Sequence, residues 1–137
     1  MRVAAKPSIQ LVWNFDFLLD CPYLSAMLKQ ISRHPLIQAT PCGLYCAKGD
    51  FYIDPWRRVD RALITHAHSD HARSGMKSYL TSEAGTGILR ERIGQDAPIS
   101  SMAYGAQRRI GEVTVSFHPA GHLLGSSQIR IEHKGEV

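Results

Sequence analysis

Along most of this chain the apolar residues fall in short runs separated by turn-forming residues, a pattern of strands and not of long helices. "GLYCA" and "DFYIDP" flank Lys48 and Gly49 and predict a hairpin. "RALIT" is a compact apolar run of the kind that becomes a buried strand, and "SYLT" at 78–81 predicts another. The period then changes. In "SEAGTGILRERIG" the pairs Ala84/Ile88 and Leu89/Ile93 stand four apart, Ser82 can cap the start, and Gly94 can stop the end. Gly85 and Gly87 weaken the first turn of that helix. "ISSMAY", "EVTVSF" and "SQIRIE" predict further strands, the last two alternating with period two. Lys134 and Gly135 predict a turn that opens one more. Short strands around one helix give an α+β class.

Residues 1–35 fit neither period, and Pro22 and Pro35 break whatever forms there. They are expected to be an unassigned N-terminal extension, with Met27 as a candidate start.

Composition narrows the class without naming a function. The 137 residues suffice for one modest domain, and 44% hydrophobic with 20% charged content suits a folded, water-soluble chain. No run approaches the roughly 18 uninterrupted apolar residues that a membrane helix needs. Arg2 and Lys6 precede "IQLVWNFDFLL" in the manner of a signal peptide, yet Asn14 and Asp16 interrupt that run and no convincing cleavage site follows. A cytoplasmic location with no membrane partner is therefore expected. Cys21, Cys42 and Cys46 make an odd count, which argues against a disulfide framework. Cys42 and Cys46 lack a second pair nearby and read as strand residues, one buried and one not. The net charge of +4 leans toward anionic partners, but Arg57/Arg58, Arg90/Arg92 and Arg108/Arg109 are scattered and read as solvated faces.

Chemistry is concentrated at the end of one apolar run. "HAHSDH", His66 to His71, holds three histidines and one aspartate in six positions. In an extended strand end, residues two apart point the same way, so His66 and His68 can converge on one ion. Asp70 and His71 follow Ser69, where the chain turns, and aim at a neighbouring point that can hold a second ion. Imidazole and carboxylate suit zinc and similar divalent metals. Farther on, "FHPAGHLLGSSQIRIE" sets His122 in a loop between Gly121 and Gly125, where an imidazole can approach an ion without backbone clash. His122 is the expected third ligand beside His66 and His68. His118 is expected to pack or to support, and His34 and His133 to be solvent-exposed. Asp54, before Pro55, reads on its own as a turn residue.

These two pieces together resemble the metallo-β-lactamase fold superfamily. The phrases "TPCGLYC", "GDFYIDPW", "VDRALITHAHSDHARSG" and "HPAGHLLGSSQIRIE" resemble its β-CASP nuclease branch, most closely the bacterial exonucleases encoded beside ATP-dependent DNA ligases, also labelled mRNA 3′-end processing factors. The resemblance spans residues 36–137 and implies an αββα sandwich. It implies that Asp54 is a structural aspartate supporting the histidine loop, and that His66, His68 and His122 hold one zinc. It further implies that Asp70 and His71 bind a second zinc, with Asp70 also orienting the attacking water. No residue matches the family's later bridging aspartate, its final zinc-ligating histidine or the β-CASP insertion. Residues 36–137 are therefore expected to be the N-terminal half of such a domain, holding about one zinc where the complete enzyme holds two.

The implied activity is hydrolysis of phosphodiester bonds in DNA or RNA by water that two zinc ions activate, in DNA repair or RNA processing. A functional association with a DNA ligase or helicase goes with it. Backbone N–H groups of the Gly125-Ser126-Ser127 turn are candidates for phosphate contact, which makes Ser126 and Ser127 candidate site residues. Two readings compete: a small-ester or thioester hydrolase of the same fold, and a non-catalytic truncated stretch. "PAGHLLGSSQ" favours the nuclease.

Overall fold

In a computed structural model, residues 35–137 are described; residues 1–34, and with them His34 and nearly all of the expected N-terminal extension, lie outside the described residues. The strands are β1 (Gln38–Thr40), β2 (Gly43–Cys46), β3 (Phe51–Ile53), β4 (Arg61–Leu63), β5 (Ser78–Ser82), β6 (Ile99–Met102), β7 (Gln107–Ile110), β8 (Val113–Pro119) and β9 (Ser127–Glu132). A 3-10 turn (Glu83–Gly85) and the helix α1 (Thr86–Ile93) stand between β5 and β6. Strands dominate and helix is minor, which is the α+β class.

β1 to β6 form one sheet in sequence order, and β7 to β9 form a second, antiparallel one. In the first sheet β1, β2 and β3 pair antiparallel, whereas β3, β4, β5 and β6 run parallel. Parallel strands are normally covered on both faces, and these are. Along β4, Ala62 joins one hydrophobic cluster and Leu63 the other; along β5, Tyr79 and Leu80 divide in the same way. Phe51, Leu63, Leu80 and Met102 of the first sheet meet Val113, Val115, Phe117 and Ile131 of the second, so the two sheets share a core. Phe51 and Phe117 are fully buried there, each contributing roughly 1.5–3 kcal/mol. On the opposite face Ile64, Ala67, Ala72, Met76 and Leu89 form the second cluster beneath α1 and the histidine loop. The order of layers is helix and loop, sheet, sheet.

Two strands, β1 and β7, are not legible from pattern. β7 reads "QRRI", three polar residues in four, and is a strand because a two-residue turn with Gly111 at φ 59° folds it back onto β8. The helix differs from its prediction in phase. Ser82 does cap, its Oγ accepting from Gly85 N–H at 3.1 Å, but the first turn is 3-10 and rotates the face that follows. Leu89 is buried and Ile93 half-buried, whereas Ala84 and Ile88 face solvent. His133, expected to be exposed, has a side chain only 14% accessible. Its Nε2 lies 3.4 Å from a Glu112 carboxylate oxygen without a well-formed hydrogen bond. The cause is the turn at Lys134 and Gly135, both at positive φ, which folds Glu136 back to bridge His133. Among the described residues no helix is long and apolar enough to cross a membrane.

Candidate metal centre

The site grows out of the ends of parallel strands. β3 and β4 pair with Ile53 beside Leu63, and Asp54 N–H donates to Leu63 O at 2.9 Å. Asp54 and Thr65 therefore leave the sheet side by side. Asp54 has φ 43°, a left-handed conformation that Asp tolerates better than most residues, and it both turns the chain and holds the histidine loop. Its Oδ1 accepts the Thr65 backbone N–H at 2.8 Å, and its Oδ2 faces the Thr65 hydroxyl at 2.5 Å and His71 Nδ1 at 2.8 Å. Both ends of the loop are thus tied to one carboxylate. Between them the chain makes a single helical turn, with His71 N–H and Ala72 N–H both donating to His68 O. Buried Ala67 and Ala72 anchor that turn in the core.

His122 arrives from the other sheet. Ser127 N–H, at the start of β9, donates to Thr65 O at 2.9 Å and so joins the β8–β9 loop to the histidine loop. Ser126 Oγ accepts from His122 N–H and Leu123 N–H at 3.2 and 3.0 Å and donates to Leu123 O at 2.8 Å. Ser82 Oγ donates to Gly125 O at 2.6 Å. Gly125 is required by contact as well as by its φ of 81°, since a Cβ there would lie 2.1 Å from Gly85 Cα.

The outcome is a cluster in which His66, His68 and His122 present ring nitrogens to one point, all within 4.8 Å of one another. His68 Nδ1 lies 3.1 Å from His66 Nε2 and 3.2 Å from His122 Nε2. Zinc–nitrogen bonds of about 2.0–2.1 Å at tetrahedral angles set ligand nitrogens roughly 3.3 Å apart. The spacing and the donor set therefore fit a divalent ion such as zinc. The tautomer of His66 fits too. The Thr65 hydroxyl has one hydrogen, which the Asp54 carboxylate takes, so Thr65 Oγ1 accepts from His66 Nδ1–H at 2.9 Å. That leaves the His66 Nε2 lone pair facing the cluster, the arrangement by which a carboxylate orients a metal-binding imidazole. Burial first, and the neighbouring His71 next, hold the His66 pKa below its ordinary value, with Asp54 opposing. A neutral ring is the form that binds a cation.

Asp54, His66 and His71 form a second group, but Asp54 commits its oxygens to Thr65 and His71 and is a support. Asp70 stands apart from the three-histidine cluster with its side chain 76% exposed, and its Oδ2 is 3.5 Å from His71 Nε2. Asp70 and His71 thus offer one oxygen and one nitrogen to a neighbouring point. Ser126 and Ser127, read as candidate phosphate contacts, are buried. Their backbone N–H groups donate to Leu123 O and Thr65 O and their hydroxyls to Leu123 O and Gly125 O. These bonds shape the His122 loop. His118 Nε2 pairs with Ser116 Oγ at 2.9 Å along β8 and, among the described residues, joins no metal-capable group. Cys46 is buried in the core and Cys42 half-buried, and among the described residues neither joins one either. Sequence reasoning alone misses Thr65; the available signal is a hydroxyl residue directly before the first histidine.

No family model matches the chain. Among curated proteins it is similar to "Probable DNA ligase" of Opitutus terrae, 29% identical over 92 residues that take in 66% of this chain and 9% of that protein. It is also similar to "Ribonuclease TTHA0252" of Thermus thermophilus, 27% identical over 128 aligned residues that take in 70% of this chain and 30% of that protein. The chain spans less than a third of the length of either relative. At low identity, the likeness is to nuclease-related, nucleic-acid-handling enzymes.

Proposed function

We propose that residues 36–137 belong to a metallo-β-lactamase-type domain whose metal centre hydrolyses phosphodiester bonds in nucleic acid. The observation that carries this reading is the convergence of His66, His68 and His122 at ion-ligand spacing, backed by a carboxylate–hydroxyl–imidazole chain. The ribonuclease likeness supports the substrate class; the ligase match takes in too little of that protein to bring ligation with it.

When bound, the ion supplies Lewis acidity, making water a nucleophile near neutral pH and offsetting charge on the phosphate oxygens. The protein's own part is orientation. Asp54 and Thr65 fix the tautomer and direction of His66, and Asp54 fixes His71 through Nδ1, leaving His71 Nε2 free for a ligand. Asp70, exposed beside His71, would accept a hydrogen bond from the attacking water and help hold a second ion. The Ser126 turn holds His122. Cytoplasmic action alongside a DNA ligase or helicase belongs to the same proposal.

The competing reading, an ester or thioester hydrolase, would use the same histidines. The zinc-loaded full-length parent should shorten labelled single-stranded DNA or RNA in a chelator-sensitive way and leave a glutathione thioester intact. Thioester turnover with no strand cleavage would reverse the assignment.

A further inference from the structure

We propose that a basic cavity beside the histidine loop binds single-stranded nucleic acid, taking backbone phosphates on Arg57, Arg58, Arg73 and Arg92 and stacking a base on Trp56. This deepens, and rests on, the nuclease reading of the neighbouring metal centre. The cavity is open and spans about 580 Å³, and among the described residues no carboxylate lines it. That is within the range of small-molecule sites and large enough for a nucleotide.

Its arginines come from three separate segments. Arg57 and Arg58 lie between β3 and β4, Arg73 follows His71, and Arg92 is on α1. The fold gathers residues that look scattered in the sequence. All four are exposed, and none is in an ion pair among the described residues, whereas Arg61, Lys48, Lys77 and Arg130 each have an acidic partner. Four unpaired guanidinium groups around one hollow repel each other, and an anion relieves that repulsion. Guanidinium groups are also suited to bidentate phosphate contacts.

Two of the arginines are held in place. Arg92 Nε donates to Ala67 O at 3.2 Å, and Arg58 lies over Gly75, where a Cβ would fall 2.9 Å from its Nε. Trp56 makes the choice of ligand. Its indole N–H donates to Pro41 O at 2.8 Å, fixing the ring, yet the residue remains 48% exposed. A fixed, open aromatic face among arginines is the combination that holds unpaired bases and their backbone, and a duplex would not offer it a base face. Ser69, between His68 and Asp70, lines the same cavity, so a strand with one phosphate at the metal centre has neighbouring nucleotides within reach of it.

The test is titration of a fluorescent oligothymidylate, in chelator so that no cleavage occurs, at several salt concentrations. Replacing the four arginines by glutamine should weaken binding at least about tenfold and flatten the salt dependence by about 0.7 for each phosphate that the arginines neutralise. Trp56→Ala should weaken binding about fivefold or more. With Trp13→Phe leaving Trp56 as the single tryptophan, the oligonucleotide should quench its fluorescence. The charge-matched control, Lys48→Gln with Arg108→Gln, Arg109→Gln and Arg130→Gln, removes four charges outside the cavity and should change neither. Equal losses in the control and the fourfold variant would overturn the cavity, even if metal-dependent cleavage persists. Arginine-dependent binding in a protein that never cleaves would support the cavity and count against the hydrolase reading alone.

Discussion

The Thr65 hydroxyl lies 2.5 Å from Asp54 Oδ2 while the Thr65 backbone N–H donates to Asp54 Oδ1 at 2.8 Å. One carboxylate takes both polar hydrogens of a residue 11 positions away. With its only hydroxyl hydrogen committed, Thr65 is an acceptor toward His66, and the state of the first imidazole of the cluster is set from two residues away.

Thr65→Val keeps the shape of the side chain and removes that acceptor. Zinc affinity should fall roughly 10–100-fold, the usual cost of losing a group that orients a metal ligand. Thr65→Ser should restore it. Nitrogen NMR of the metal-free protein gives an independent reading: His66 should be the Nδ1–H tautomer in the parent and a mixture in the valine variant. An unchanged tautomer with unchanged affinity would remove Thr65 from the centre.

His122→Ala should weaken zinc binding far more than His118→Ala. The two stand four apart in sequence, but His122 Nε2 is 3.2 Å from His68 Nδ1 whereas His118 pairs with Ser116. Isothermal titration of both variants decides it, and equal affinities would contradict the ligand set.

The loop carrying His122 depends on backbone contact between two glycines. Gly125→Ala would drive a Cβ against Gly85 at φ 81°, costing about 2–4 kcal/mol from overpacking and left-handed strain together. Gly87→Ala, in a helix with nothing within 4 Å, should instead stabilise by about 0.5–1 kcal/mol. Thermal melting of the two variants should shift in opposite directions.

Burial pushes the Cys46 thiol above its ordinary pKa, and the residue has no accessible surface. The thiolate is the reactive form. In a Cys21→Ser background, a thiol reagent at pH 8 should therefore modify Cys42 in the folded protein and reach Cys46 only on unfolding. Reaction of both in the folded state would mean that the core between the sheets opens readily.

Local pattern is enough for the strands that carry alternating apolar residues, for the Ser82 cap and for the histidine loop, because each is written in residues close in sequence. β7 is hidden because its pairing comes from a turn and not from apolar content, and the helix phase because a 3-10 turn precedes α1. Long-range placement is the greater gap. The burial of Ser126 and Ser127, the bridge from Ser127 to Thr65, and the gathering of Arg57, Arg58, Arg73 and Arg92 each depend on segments that only the fold brings together.

All of this chemistry presumes that His66, His68 and His122 share one ion. Zinc-edge X-ray absorption on protein loaded with one equivalent of zinc reads that directly. The expected spectrum has three imidazole nitrogens at about 2.0–2.1 Å and one further light-atom ligand. Fewer than three imidazoles, or sulfur at about 2.3 Å from a cysteine, would place the ion elsewhere and contradict the metal centre.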